Sequence, residues 1–395
     1  ELASYIDGGV PVLDGPNAGA VTEPGIQSYT GFTPNNAVKE DRQSISLYLD
    51  IENDINEHLL LQTAWRYEYF TDFGRTFNGK LATHYQLNDQ VRLRGSFSTG
   101  FRAPSLSQSH FSRTSTTIDL ARSPQLQEVG FFKVDDPIAQ ATGAEELDAE
   151  TSKHLSAGFI FTPLENLQVE LDAFYIRVND GIVLSDEISA NASVVPNVVV
   201  QRLNAANVEA VQYMTNALNS KSYGYDLNVK YSLNLERHGS LKLSALYHQN
   251  KQVIRSIDVP EILGSQGESL IFSETKQRSF RYDNPKNNLI LTNNYKLDNH
   301  NLLLRAWRSG PTRVTTHPFD SDIDNGPHWI IDLEYENKIT KDLKFAVGGH
   351  NIFNQKPHKN SPFGNILGEG SILQYQTSPF GVDGDIYYFR IIVDL

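Results

Sequence analysis

The residues best suited to chemistry by type and spacing sit in one acidic stretch, HPFDSDIDNGPH at 317–328. His317, Asp320, Asp322, Asp324 and His328 recur there at short intervals, and oxygen-rich spacing of this kind suits a hard cation such as Ca²⁺. An EF-hand loop needs Gly where Asn325 stands and a bidentate Glu where Ile331 stands. Asp320, Asp322 and Asp324 are therefore weak metal candidates beside the plainer reading of a solvated acidic loop. No catalytic signature accompanies them: GxSxG, HExxH and the P-loop pattern are missing, and GEGS and GVDG lack the strand-to-helix setting that phosphate binding needs. The expectation is no enzyme and no cofactor. Binding has better material. Phe111, Arg113, Phe131, Phe132, Tyr213, Phe280, Arg281 and Tyr282 gather in aperiodic stretches, where they suit an amphipathic small molecule without choosing among them.

The composition narrows what must hold these residues. Of 395 residues, 39% are hydrophobic and 21% charged, with 20 Phe, 18 Tyr and 3 Trp, far too many aromatics for a disordered chain. No run approaches the roughly 18 apolar residues of a membrane helix, although a membrane β-barrel would leave no such run. With 34 Lys and Arg against 47 Asp and Glu, the net charge of -13 argues against nucleic acid as a partner. The absence of cysteine excludes disulfides, thiolate catalysis and Cys-ligated zinc.

Residues 1–40, rich in Gly, Pro, Asn and Ser, show no sustained period and read as a loop segment. From Gln43 onward the chain alternates with a period of two. Ile45, Leu47, Leu49 and Ile51 share one face, then Leu59, Leu61, Trp65, Tyr67 and Tyr69, and the pattern repeats in pairs to a last strand at 385–395. The count is about thirteen strands. In NAANVEAVQYMTNALN, by contrast, Val208, Val211, Met214 and Leu218 recur at helical spacing and predict a short helix.

Connections alternate between two sizes. TPLEN, ERHGS, LDNH and NKITKD close pairs tightly, whereas segments of about 50, 45, 35 and 30 residues follow Phe101, Val178, Asn250 and Asn354, placing short turns on one rim and long loops on the other. The apolar face carries aromatics near strand ends, as a membrane-interface girdle would. The other face places Arg92, Arg94, Glu170 and Asp172 mid-strand, where a packed sandwich could not solvate them but a wet lumen could. These features predict an all-β, antiparallel transmembrane β-barrel. A passive porin or adhesin barrel and a secreted sandwich are the alternatives. Parity adds an expectation: thirteen strands leave the segment before Gln43 on the external rim, so further strands are expected upstream.

The sequence resembles the TonB-dependent outer-membrane receptors. The residues that carry the resemblance are RLRGSFSTGFRAPSLSQ (92–108), LDAETSKHLSAGF (147–159), VELDAFYIRVNDGI (169–182), YMTNALNSKSYGYDLNVKY (213–231), GHNIFNQKP (349–357) and the closing strand. The resemblance implies that 41–395 is the C-terminal part of a plugged barrel of about 22 strands, with residues 1–40 an extracellular loop segment. It implies a Gram-negative outer membrane with its lipid and lipopolysaccharide, and the energising protein TonB as partner through an N-terminal region. It also implies active import of a small-molecule nutrient, most often a ferric siderophore, with haem, vitamin or oligosaccharide as alternatives. Within the corner motif Gly100, Phe101, Arg102, Ala103 and Pro104, Gly and Pro release the chain from the sheet, and Arg102 is expected to anchor the next loop against a carboxylate. His110 stands where haem-uptake members of the family carry a loop histidine, and imidazole can ligate haem iron.

Overall fold

The computed structural model describes residues 36–118, 126–206, 208–316, 321–357 and 381–393, with residue 379 and short pieces at 2–5, 10–11, 13–15, 18–19, 25–26 and 29–30. Thirteen strands form one antiparallel sheet, each hydrogen-bonded to its neighbours in chain order. They are β1 (Ser44–Asn56), β2 (Leu59–Phe70), β3 (Gly74–Gln86), β4 (Val91–Arg102), β5 (Glu150–Leu164), β6 (Leu167–Leu184) and β7 (Met214–Asn234). The remainder are β8 (Ser240–Ile257), β9 (Asn287–Leu297), β10 (His300–Ser309), β11 (His328–Lys338), β12 (Leu343–His350) and β13 (Ile386–Val393). This is the predicted meander. Among the described residues the sheet is open: β1 pairs only with β2, β13 only with β12, and all of β1 is exposed.

Tight turns at 57–58, 87–90, 165–166, 235–239, 298–299 and 339–342 lie on one rim. From the other rise the described parts of the connections 103–149, 185–213, 258–286, 310–327 and 351–385, together with one short connection at 71–73. Two of the long segments, 185–213 and 258–286, are shorter than the sequence suggests because β6, β7 and β8 run well past the periodic core of each strand. The 71–73 link is tight because Arg42 Nε donates to Asp72 Oδ2 at 2.8 Å, and Phe73 stacks on Phe70 at 4.4 Å.

Alternation along each strand separates two chemistries. One face exposes Leu47 (74%), Phe77 (68%) and Phe389 (62%) along with Trp65, Tyr67, Leu155, Tyr175 and Tyr223, an arrangement suited to hydrocarbon as solvent. The opposite face carries paired charge. Arg94 Nε donates to Asp172 Oδ1 at 2.6 Å, and Lys230 lies 3.5 Å from Glu170. His248 meets Asp226 at 2.6 Å, Arg305 and His350 share Asp332, and Tyr388 and Arg390 share Glu334. Ion pairs on this face offset the charge that a sheet wall must carry toward a wet interior.

The conventional hydrophobic core lies in the long loops. Residues from 137–144, 188–218 and 263–272 pack together, with Ile188, Val199, Leu203, Val211, Tyr213, Leu263 and Ile271 fully buried. A four-stranded sheet of Arg113–Ile118, Leu126–Phe131, Ile188–Ser189 and Ala210–Gln212 belongs to this cap. Helices α1 (Leu106–His110), α2 (Pro137–Ala141), α3 (Asn197–Ala206), α4 (Gly267–Ile271) and α5 (Glu274–Tyr282) surround it. The helix predicted over 208–218 is a correction: that stretch is strand, and the helix is α3. The spacing of Val208, Val211, Met214 and Leu218 suits a helix, but pairing with Leu126–Phe131 and with β6 and β8 supplies the backbone hydrogen bonds instead.

Near the start of the chain, Leu2–Tyr5 pairs with Val38–Asp41, and Gly25–Ile26 with Tyr29–Thr30.

Candidate functional site

A cavity of about 440 Å³ opens where β6 and β7 meet the cap, lined by Ser107, Gln108, Phe111, Arg113, Val129, Phe131, Leu184, Gln212 and Met214. Its construction begins at the corner motif. Pro104 is buried and ends the ladder of β4, and Ser105 then caps α1. The Ser105 hydroxyl accepts from the Gln108 amide at 3.1 Å, and the Gln108 side chain accepts from the Ser105 amide at 3.0 Å. Leu106 anchors this short helix in the interior, so Phe111 emerges at a set angle and packs its ring 5.3 Å from that of Phe131.

The cavity wall is a row across three strands. Phe131 lies opposite Arg113 on one side and Gln212 on the other. Val129 shares this face by alternation. Leu184 and Met214, register partners at the ends of β6 and β7, complete the wall. An apolar aromatic pair beside one guanidinium and two amides can hold a flat amphipathic ligand and hydrogen-bond its polar edge.

A lysine from a distant loop holds this wall. Lys276 of α5 donates to the carbonyls of Leu184 at 2.9 Å and Ser185 at 3.0 Å, and pairs with Asp186 at 3.3 Å. Gln212 Nε2 donates to the same Ser185 carbonyl at 3.2 Å, and the Tyr213 amide donates to the Ser185 hydroxyl at 3.1 Å. Burial holds the Lys276 ammonium below the ordinary lysine range, against the opposing pull of Asp186 and Glu187.

Phe111, Arg113 and Phe131 thus come together, and the other predicted ligand contacts do not. Tyr213 is a correction. It is 0% exposed, its hydroxyl donates to the Thr142 carbonyl at 3.1 Å, and burial pushes its ionisation well above the ordinary tyrosine range. Phe132 and Phe280 pack on the cap core. His110 ends α1, half-buried, outside the cavity lining. Arg281 donates to Gln277 at 3.3 Å, and the Lys286 ammonium sits 4.3 Å over the Tyr282 ring. No sequence signal marks Ser107, Gln108, Val129, Leu184 or Gln212 as cavity residues, and the spacing predicts Met214, the single methionine, in a helix.

The corner motif is structural in its contacts. Arg102 Nε donates to Glu150 Oε2 at 2.8 Å, and Glu150 also accepts from the Ile182 amide at 2.7 Å, tying the ends of β4, β5 and β6 together. A Cβ on Gly100 would meet the Ser152 hydroxyl at 2.9 Å, while the Phe101 ring stands 5.7 Å from Phe70. Ala103 begins the loop. On the charged face Arg94, paired with Asp172, also lies 3.8 Å from Glu170, and Arg92 stands opposite Ile160 and Gln86.

Asp320 lies outside the described residues, as does His317. Asp322 and Asp324 lie on a strand, Ser321–Asn325, paired with Thr312–Thr316, and Arg313 Nε donates to Asp324 at 2.6 Å. Among the described residues no three His, Asp or Glu side chains converge as a metal site.

Residues 12–352 match the family described as "TonB dependent receptor-like, beta-barrel". A search of curated proteins found no match. Solved structures similar to the chain include a ferric enterobactin receptor variant from Pseudomonas aeruginosa in complex with enterobactin (TM-score 0.61, 14% identity, 91% of this chain and 46% of that one). The siderophore receptor PirA from Acinetobacter baumannii gives a TM-score of 0.59 at 13% identity over 90% of this chain and 46% of that one. The FpvAI–pyocin S2 complex gives 0.55 at 14% identity over 91% and 38%. An open antiparallel wall with an apolar outer face, a charged inner face and a folded cap on one rim is part of an outer-membrane barrel. The chain belongs to the TonB-dependent receptor β-barrel family, whose place is the outer membrane of Gram-negative bacteria. It spans about half the length of the enterobactin and PirA receptors it matches.

Proposed function

We propose that this chain forms wall and outer mouth of an active importer energised by TonB, and that the cargo taken up at the mouth is a ferric siderophore. The cavity between Phe111, Arg113 and Phe131 carries the reading. Its aromatic walls suit the flat apolar parts of such a chelate, and Arg113 supplies a cation for the negative charge around the metal. The neighbours named as siderophore receptors support the same class. The inner ion pairs face a lumen whose occupant, in a receptor of this kind, is a plug.

The test is equilibrium binding to the intact protein in detergent, comparing ferric catecholate and hydroxamate siderophores with haem, cobalamin and a maltooligosaccharide. Saturable binding of a ferric siderophore that Phe111→Ala and Phe131→Ala weaken supports the reading. Tight binding of haem, cobalamin or sugar in its place moves the cargo to that class. Steady ion conductance of the intact protein in planar bilayers, without an energised partner, would favour a passive pore.

A further inference from the structure

The net charge of the chain is not spread evenly. From Ser44 onward, the wall and its tight turns hold 21 Lys and Arg against 20 Asp and Glu. The five connections 103–149, 185–213, 258–286, 310–327 and 351–385 hold 11 against 21, and each of the five is net acidic in sequence. Cations of the wall near that rim do not offset this at the mouth. Lys153, Arg177 and Lys221 are register partners on the outward face, two positions from Leu155, Tyr175 and Tyr223. Charge of one sign around a concave site concentrates ligands of the other sign there and repels those of its own.

The cavity wall has a matching polarity. Its row runs from Arg113 through Phe131 to Gln212 across three strands of the cap sheet. Ile188–Ser189 is the next strand beyond, and Ile188 stands opposite Val211. One step along that register Glu187 comes opposite Gln212. Residues opposite one another in an antiparallel pair share a face, so the alternation that buries Ile188 and Val211 sends the exposed Glu187 to the side of Gln212. The row thus has a guanidinium at one end and a carboxylate at the other, three strand spacings or about 14 Å apart. Lys276 lies in the field of Glu187, but its close contacts are the carbonyls of Leu184 and Ser185 and the Asp186 carboxylate. Among the described residues, Arg113 is the one charged side chain lining the cavity. A ferric triscatecholate, a trianion, would meet one cation inside a mouth of its own sign. A ferric trihydroxamate is neutral at the chelate, its donor oxygens still accept from Arg113, and a pendant amine makes the whole complex a cation.

We infer that Glu187 is a specificity-determining residue that receives an ammonium group of the cargo while Arg113 meets the chelate oxygens, and that the cargo is a ferric hydroxamate of net positive charge. The inference rests on the siderophore reading and narrows it.

The test measures equilibrium binding and association rate on the intact protein in detergent. The probes are the ferric complexes of desferrioxamine B, a monocation through its terminal ammonium, of its N-acetylated form, which is neutral, and of enterobactin, a trianion. The monocation is expected to bind roughly tenfold tighter than the acetylated form, and Glu187→Gln to abolish that preference. Glu146→Gln, which removes an exposed carboxylate of the cap outside the row, keeps it. Association of the monocation with the unaltered protein slows as NaCl rises from about 0.05 to 0.5 M while that of the acetylated form does not, a reading that needs no variant to fold. Equal affinity for the amine and its acetylated form overturns the inference and leaves the siderophore reading standing, as does tighter binding of the trianion than of either. Equal loss of preference in Glu146→Gln and Glu187→Gln overturns the assignment to Glu187. Binding of haem, cobalamin or sugar with none of the three ferric complexes bound overturns both readings.

Discussion

Arg113 and Phe131 stand directly opposite one another across two antiparallel strands, and Gln212 extends their row on a third. Their chain neighbours Phe132 and Tyr213 turn the other way, into the core of the cap. One alternation thus divides the aromatic residues at the barrel mouth into those that reach a ligand and those that hold the cap together.

That division is measurable. Phe131→Ala and Phe111→Ala remove the aromatic pair and are expected to weaken cargo binding by about 1–3 kcal/mol each while leaving the barrel intact. Tyr213→Phe loses the bond to the Thr142 carbonyl, with an expected cost to cap stability of about 1 kcal/mol and no change in cargo affinity. Calorimetric titration beside hydrogen exchange of 137–144 separates the two. Equal losses of affinity in Phe131→Ala and Tyr213→Phe would refute the division.

Lys276 makes cap stability depend on pH. Because burial lowers its folded value below the ordinary 10.5, the opened cap binds a proton that the folded cap releases within the window just below that value. Stability therefore rises with pH across this alkaline window and levels off above 10.5. Hydrogen exchange of amides 184–189 and 210–214, corrected for the intrinsic base-catalysed rate, is expected to show protection growing with pH there. Lys276→Met removes the slope.

At Gly224 the backbone of β8 closes over β7. A Cβ there would lie 1.9 Å from the Gln249 carbonyl oxygen, a backbone atom that cannot rotate away. Gly224→Ala is expected to cost several kcal/mol through forced strand separation. The folded, heat-modifiable form of the intact protein on electrophoresis is then expected to convert to the unfolded form at a markedly lower temperature. Gly326→Ala, with open space around its Cβ, is the matched control.

Glu150 joins three strand ends through one carboxylate. Glu150→Ala leaves both the Arg102 guanidinium and the Ile182 amide without it, for an expected loss of about 1–2 kcal/mol locally, the exposed Arg102 contributing little after solvent screening. Exchange of the Ile182 amide is the direct readout, and Glu150→Gln, which keeps an acceptor for it, is expected to restore most of the protection.

The chain by itself determined the wall. Alternation of Leu47, Leu49 and Ile51, or of Arg92 and Arg94 with Leu93, is a local property: a strand sends successive side chains to opposite faces wherever it pairs. Strand number, antiparallel order, the two rims and the two faces were therefore legible, and Arg94 could be placed on the charged face without knowing that Asp172 would meet it. The cap was not legible, because its stability comes from segments far apart in sequence. Lys276 holds the carbonyl of Ser185 across 91 residues, and Tyr213 reaches Thr142 across 71. Met214 and Leu218 sit at helical spacing yet lie in β7, since inter-strand hydrogen bonds outweighed a weak local pattern. Tertiary structure alone decided which loop aromatics face the cavity, and it alone aligned Lys153, Arg177 and Lys221, because register between strands is set by pairing and not by any one strand's sequence.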